Sequence, residues 1–365
     1  MPRSGHRQLV LVGPGLANLQ ALVRLKECCD ATLVSEGPYH GYSGMLPGVA
    51  GGAYSPSTSS IDLAALCARH SVNFRPSRAT RIDQGTGEVE LANGDRIPFD
   101  VLSLNLGSGV LGDDLPGIRA HATLIKPLYQ ASLQLVSSPP PFVVVGSGWG
   151  AVELALNLRR RSHSPTTLVC GARLLPRALP RFAAAARQEL ERAGVELLLN
   201  HRAVAAEARQ VFLSDGKALA FGTLLWVTGP RPPDLLAKSA LSRSDQGYLR
   251  VEETLQSESD PRVFGAGDCI ALRRFPSLER AGVFAMRQGK VLVENLASAL
   301  NHQPPKTTYR PRTRPLQLMG LGDGRALGTW RGHVFRGRGA FLLKEWIDRR
   351  WIARYQVIAA RPSAF

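Results

Sequence analysis

The pattern strand, Gly-x-Gly, helix occurs twice in this 365-residue chain, about 130 residues apart, and no other feature constrains its fold as strongly. In the first copy Gln8–Gly13 reads as a short apolar strand and Pro14–Gly15 completes the turn. Leu16 to Leu25 then has a helical pattern, and Ala31–Ser35 reads as a second strand ended by Glu36. The second copy runs through the strand Phe142–Val145, the run Gly146-Ser147-Gly148-Trp149-Gly150, a helix, and the strand Thr166–Cys170. Short apolar strands alternating with helices predict parallel sheets covered on both faces, an α/β architecture.

A glycine turn between strand and helix lets the backbone approach a pyrophosphate, and the helix N-terminus offers that anion N–H groups and a partial positive charge. A carboxylate about 20 residues on, at the end of the second strand, accepts hydrogen bonds from ribose hydroxyls. The chain is therefore expected to contain two Rossmann-like dinucleotide-binding domains. Gly13, Gly15 and Glu36 meet these demands in the first, with Asn18 at the third glycine position. Gly146, Gly148 and Gly150 meet them in the second, but Cys170–Gly171 stands where the carboxylate belongs. Arg173, Arg177 and Arg181 lie nearby, which favours a 2′-phosphate and hence NADPH; a plain solvated face is the equal alternative.

Between the repeats, Arg81–Leu91 alternates as one strand of a hairpin turning at Asn93–Gly94, and Asp100–Leu106 reads as a further strand. Pro139–Pro141 marks a break, Leu278 to about Leu300 is expected to be helical, and a basic tail follows. The expected organisation is a discontinuous first domain (1–120 and 250–300), a second domain (121–249) and a C-terminal interface segment (301–365).

Thirteen Lys/Arg against three Asp/Glu in 301–365 account for ten of the sixteen net positive charges. No nucleic-acid module accompanies that charge, so nucleic acid is not an expected partner, whereas an anionic membrane surface or a phosphate-bearing ligand is. No apolar run is long enough to span a bilayer, and Met1–Gln8 has no apolar leader core, so a cytoplasmic place, up to the inner face of the membrane, is expected. Cys28, Cys29, Cys67, Cys170 and Cys269 form no C-x-x-C pair and no metal-ligand spacing, which argues for reduced, mostly buried thiols and no bound metal.

Four ordered motifs resemble the two-dinucleotide flavoprotein family that includes type II NADH dehydrogenases and pyridine nucleotide-disulfide reductases. They are Val12–Asn18 (VGPGLAN), Val143–Glu153 (VVVGSGWGAVE), Leu224–Pro233 (LLWVTGPRPP) and Val263–Cys269 (VFGAGDC). Pro38–Gly48, Ile125–Ala131, Arg280–Gly289 and Leu343–Arg350 are similar to a branch of NADH-dehydrogenase-like oxidoreductases sometimes fused to selenide, water dikinase. The resemblance implies FAD in the first domain, held by Gly13, Gly15, Asn18, Glu36, Gly267 and Asp268. It implies NAD(P)H in the second, held by Gly146, Gly148, Gly150, Arg173 and Gly229. Glu153 is expected near the nicotinamide or the acceptor, and Lys126 beside the flavin as the cation that stabilises its reduced ring. His40, Tyr42 and Met45 lie in a loop expected beside the adenosine or the flavin.

The expected function is an FAD-dependent oxidoreductase that accepts hydride from NAD(P)H and passes electrons to a small acceptor, a quinone among the candidates. The alternatives are a flavoprotein with a degenerate nicotinamide site acting as a redox-responsive binding partner, and a non-dithiol reductase of another small acceptor. A redox cysteine pair is missing, and the Ala-Gln-x-Ala-x-Gln pattern of quinone-reducing relatives is not reproduced in Ala281–Gln288. In Phe341–Tyr355 the arc Leu342, Leu343, Trp346 and Ile347 is expected to dock on the flavin domain, or on a second copy in a homodimer. The arginines then face outward, with at most weak, salt-sensitive attraction to anionic lipid.

Overall fold

The computed structural model describes residues 7–312 and 314–357. Five parallel strands form the first sheet in the spatial order Val263–Gly265, Val101–Leu104, Gln8–Val12, Asp30–Ser35, Asn73–Pro76. Leu9, Val10, Leu11 and Val12 are all buried. That is why the strand is a continuous apolar run and not an alternating one: both of its faces are covered. Helix Leu16–Leu25 packs along helix Gly282–Leu300.

The second sheet repeats the plan in the order Ala122–Leu124, Thr223–Trp226, Phe142–Val145, Thr166–Val169, Glu196–Leu198, again all parallel. In both sheets the strand that feeds the glycine turn has its successor on one side and a later strand on the other. Chain order reverses there, opening a crevice at the carboxyl ends of the strands. Each sheet has its own buried core. Both are Rossmann-like, and the second interrupts the first between its strands Val101–Leu104 and Val263–Gly265.

Each half also carries a three-stranded antiparallel meander, Ala79–Asp83, Glu88–Leu91 and Arg96–Pro98 in one, Ala203–Glu207, Gln210–Leu213 and Ala218–Ala220 in the other. The stretch 81–91, expected as one strand, is thus two. Asp83 Oδ1 accepts from the N–H groups of Gly85 and Thr86, and Gly87 takes φ +71°, so a second hairpin turn forms. The long helix begins at Gly282, not at Leu278, because Ala281 is extended and Arg280 reaches back to the carbonyls of Asp268 and Ile270.

Beyond residue 301 lies more than a tail. Gln317–Gly320, Ala326–Trp330 and His333–Gly337 form an antiparallel sheet, followed by the helix Arg338–Ile352. Met319, Leu321 and Leu327 enter the second core, whereas Trp351, Ile352 and Tyr355 enter the first. Trp351 stacks on Tyr42 at 4.5 Å between ring centroids. Of the expected arc, Leu342, Leu343 and Trp346 do not dock on the flavin domain of their own chain. Leu342 and Trp346 are 65% and 60% exposed, and Leu343 is exposed with them. The face turned inward carries Ala340, Lys344, Asp348 and Ile352, because the Lys344–Asp348 pair finds partners there. Among the described residues no helix is long and apolar enough to cross a membrane.

Candidate functional site

At the carboxyl end of the first sheet, Asn105 organises the crevice. Its Oδ1 accepts from the N–H groups of Ala17 and Asn18 at 2.9 and 3.2 Å, and its Nδ2 donates to the Ala266 carbonyl at 2.7 Å. One amide therefore ties the glycine turn to the turn that presents Gly267 and Asp268. Glycine is required at Gly13, where φ is +89° and a Cβ would lie 2.5 Å from the Asn105 carbonyl oxygen. At Gly15 a Cβ would meet the Asn105 side chain. Asn18 is fully buried, donating to the carbonyls of Val12, Gly13 and Ser103 and accepting from Ser103 Oγ at 2.7 Å. It braces the helix against the strands by hydrogen bonds where a glycine would do so by close contact. Glu36 stands exposed just past strand Asp30–Ser35.

Asp268, half-buried, faces Lys126 at 3.2 Å, and Lys126 also donates to Ser108 Oγ at 2.5 Å. Lys126 follows the edge strand Ala122–Leu124 of the second sheet, so this ion pair joins the two halves across the crevice. Gln288 accepts from the Gly267 N–H at 2.6 Å, and the Arg280 guanidinium lies 3.4 Å from the Tyr248 ring centroid. Gly267, Asp268, Arg280, Phe284 and Gln288 line a cleft beside the pair. A backbone cradle, a carboxylate and a cation on one apolar-walled crevice fit a flavin dinucleotide.

In the second sheet, a Cβ on Gly146 would come within 2.3 Å of the Val227 carbonyl oxygen, while one on Gly148 meets nothing within 4 Å. The first glycine is thus demanded by the protein's own packing, and the second leaves open space in front of the helix N-terminus, as a dinucleotide pyrophosphate requires. Gly229 lies exposed beyond strand Thr223–Trp226 on the same side. Arg173 is exposed and absent from the lining of the nearby pocket, which Gly171, Ala172, Asn200, Arg202 and Ser214 form. Arg177 is near enough to Tyr248, Glu279 and Arg280 for its charge to act on them, so it faces the Asp268 cleft more than the pocket at Gly171.

Glu153 is buried on the helix Trp149–Ser162. Its Oε1 accepts from the Gly320 N–H at 2.7 Å and lies 3.8 Å from Lys344 Nζ. Burial pushes its carboxyl up to about 7; Asp348 adds to the rise, and Lys344 and Gly320 oppose it. Lys344 pairs with Asp348 at 2.7 Å and donates to the Gly44 carbonyl, and Asp348 accepts from Tyr42 Oη at 3.0 Å. Burial works against the Lys344 charge, but Glu153 and Asp348 outweigh it and hold its pKa above the usual range. Lys344 and Asp348 lie inside the Leu343–Arg350 segment but are not among the expected site residues, and Asn105 carries no local motif; the fold brings all three to the site. Of the cysteines, four are buried and none is bonded to another. Burial pushes Cys29, Cys67 and Cys269 up to about 12 and Cys170 up to about 11, far from thiolate chemistry. Met45 is buried, between Gly44 and Leu46, and desolvation lowers the half-buried His40 to about 4.

Residues 7–290 match the pyridine nucleotide-disulphide oxidoreductase family. The ferredoxin–NAD(+) reductase component of the biphenyl dioxygenase system of Paraburkholderia xenovorans is 29% identical over 73% of this chain. The chain spans 62 to 68% of the length of the first curated relatives it matches. An NADH dehydrogenase-like protein of Mycobacterium tuberculosis is 27% identical over 94% of both chains. The sulfide:quinone oxidoreductase of Aquifex aeolicus superposes with a TM-score of 0.78 at 18% identity, covering 96% of this chain and 91% of that one, a likeness of fold. With two glycine cradles, an ion pair across their crevice and a family match over most of its length, the chain belongs to the pyridine nucleotide-disulphide oxidoreductase family and is a flavoprotein oxidoreductase of FAD and NAD(P)H.

Proposed function

We propose that this enzyme takes hydride from NAD(P)H and delivers electrons to a quinone. The Lys126–Asp268 pair carries the reading, because it sets a cation and a carboxylate at the meeting point of the two dinucleotide crevices. In this assignment 1–120 with 250–300 hold FAD, 121–249 hold NAD(P)H, and 301–365 close the interface. The Gly13–Gly15 turn brings backbone to the pyrophosphate, Glu36 accepts from the ribose hydroxyls, and Asp268 accepts from the ribityl chain. Lys126 offsets the negative charge that arrives with the hydride. Gly146, Gly148 and Gly150 seat the second pyrophosphate, and the crevice excludes water from the transfer. The flavin, when bound, supplies the two-electron chemistry. Two electrons and a proton leave the nicotinamide, and one further proton from solvent completes the hydroquinone.

Four buried, protonated thiols disfavour a protein dithiol route. Exposed Trp330, and the exposed Leu342, Leu343 and Trp346 of helix Arg338–Ile352, with Arg331 over Trp330 and Arg350 over Trp346, favour a lipid-soluble acceptor reached by weak contact with an anionic membrane surface. Anaerobic titration of the yellow protein with NADH and with NADPH should bleach the flavin. Reoxidation should then be fast with a short-chain quinone and slow with a disulfide or a ferredoxin. Bleaching without reoxidation by quinone would overturn the acceptor, and no bleaching would overturn the donor. Sedimentation with anionic vesicles should give binding that ~0.5 M salt abolishes.

A further inference from the structure

The pairing registers of the two sheets superimpose the two ribose positions. Val12 pairs with Val34 in the first sheet, and Val145 pairs with Val169 in the second. Two residues beyond each lie Glu36 and Gly171, so Gly171 occupies the place of the ribose-binding carboxylate. Packing does not force that glycine. Gly171 is not among the residues of positive φ, and a Cβ there would meet only Ser147 Oγ, at an ordinary 3.7 Å. The space is instead part of an open pocket lined by Gly171, Ala172, Asn200, Arg202 and Ser214. Arg202 is exposed, and its guanidinium makes no ion pair among the described residues. The carboxylate next to Ser214, that of Asp215, pairs with His201 at 3.1 Å and Lys217 at 3.2 Å and is not among the residues that line the pocket. A guanidinium, a hydroxyl and an amide around this pocket can all donate to a phosphate dianion and no carboxylate in the lining repels it, whereas a bare ribose finds no carboxylate acceptor there.

We propose that this pocket is a 2′-phosphate subsite, with Arg202 the residue that selects NADPH over NADH. It rests on the second unit being the NAD(P)H site. Arg202 lies 29 residues beyond Arg173, on the segment after the edge strand Glu196–Leu198, where the fold and not the local sequence delivers it.

Calorimetry on the FAD-loaded protein with 2′,5′-ADP and with ADP tests the subsite without turnover. The expected result is 2′,5′-ADP binding about tenfold or more tighter than ADP, the scale of one charge-assisted contact. Arg202→Ala should erase that difference while leaving ADP affinity unchanged, and Gly171→Glu should reverse it. The exposed Arg202 side chain makes its loss harmless to folding, which a thermal melt checks. Equal binding of the two nucleotides, or a preference that survives Arg202→Ala, would overturn the proposal while leaving the dinucleotide site standing. Failure of both to bind would overturn the site and the subsite together.

Discussion

Gly146 and Gly148 stand two residues apart in one motif and have different reasons to be glycine. Gly146→Ala places a Cβ against the Val227 carbonyl at φ +154°, and should cost more than ~2 kcal/mol in chemical denaturation. Gly148→Ala meets empty space at an ordinary φ of −85°, so stability should shift by no more than ~1 kcal/mol while dinucleotide affinity falls about tenfold. Equal stability losses would show that the gap at Gly148 is not kept for a ligand. Glu153 gives a prediction in pH. Its carboxyl titrates near 7 when folded and near 4.5 when unfolded, so between these values the folded state holds more protons. Stability contributed by the protonated acid is present below about 4.5 and lost as pH rises through about 7. Glu153→Gln should flatten the pH dependence of stability across that window, and Lys344→Met should raise the carboxyl further by removing the cation that opposes burial.

Single elements of the C-terminal region hold it in place with distinct chemistry. Glu189, fully buried on helix Pro180–Ala193, takes Arg160 and Arg325 on one oxygen and Arg192 and Arg336 on the other, at 2.8 to 3.3 Å. Burial works against its charge, but Arg160, Arg192 and Arg325 hold its carboxyl below the usual range. Glu189→Ala leaves four guanidinium groups facing one another and should cost on the order of 3–5 kcal/mol, read by urea denaturation. On helix Arg338–Ile352, Trp351→Ala should cost a similar ~3–5 kcal/mol, while Trp346→Ser should stay within ~0.5 kcal/mol because Trp346 is exposed. Both glycine turns, their strands and the Asn93–Gly94 turn were legible in the sequence, because glycine geometry and apolar runs are local constraints. The faces of the last helix were not. Lys344 and Asp348 point inward and Leu342 and Trp346 outward, so apolarity alone misassigns them. The short C-terminal strands, interrupted by Gly320, Gly322 and Gly328, gave no periodic signal either.

Across the whole molecule, the C-terminal region enters both cores, with Met319, Leu321 and Leu327 in one and Trp351, Ile352 and Tyr355 in the other. The two halves should therefore unfold together, as one calorimetric transition in the FAD-loaded protein, and Trp351→Ala should split it in two. Two separable transitions in the unaltered chain would show that the shared wedge does not couple them. The same wedge sets an order of events during synthesis. Residues 317–355 emerge from the ribosome after every strand of both sheets, yet each sheet waits on them to close its core. Nascent chains halted before residue 317 should stay protease-sensitive in both halves, dependent on chaperones that shield their open apolar faces until the last wedge arrives.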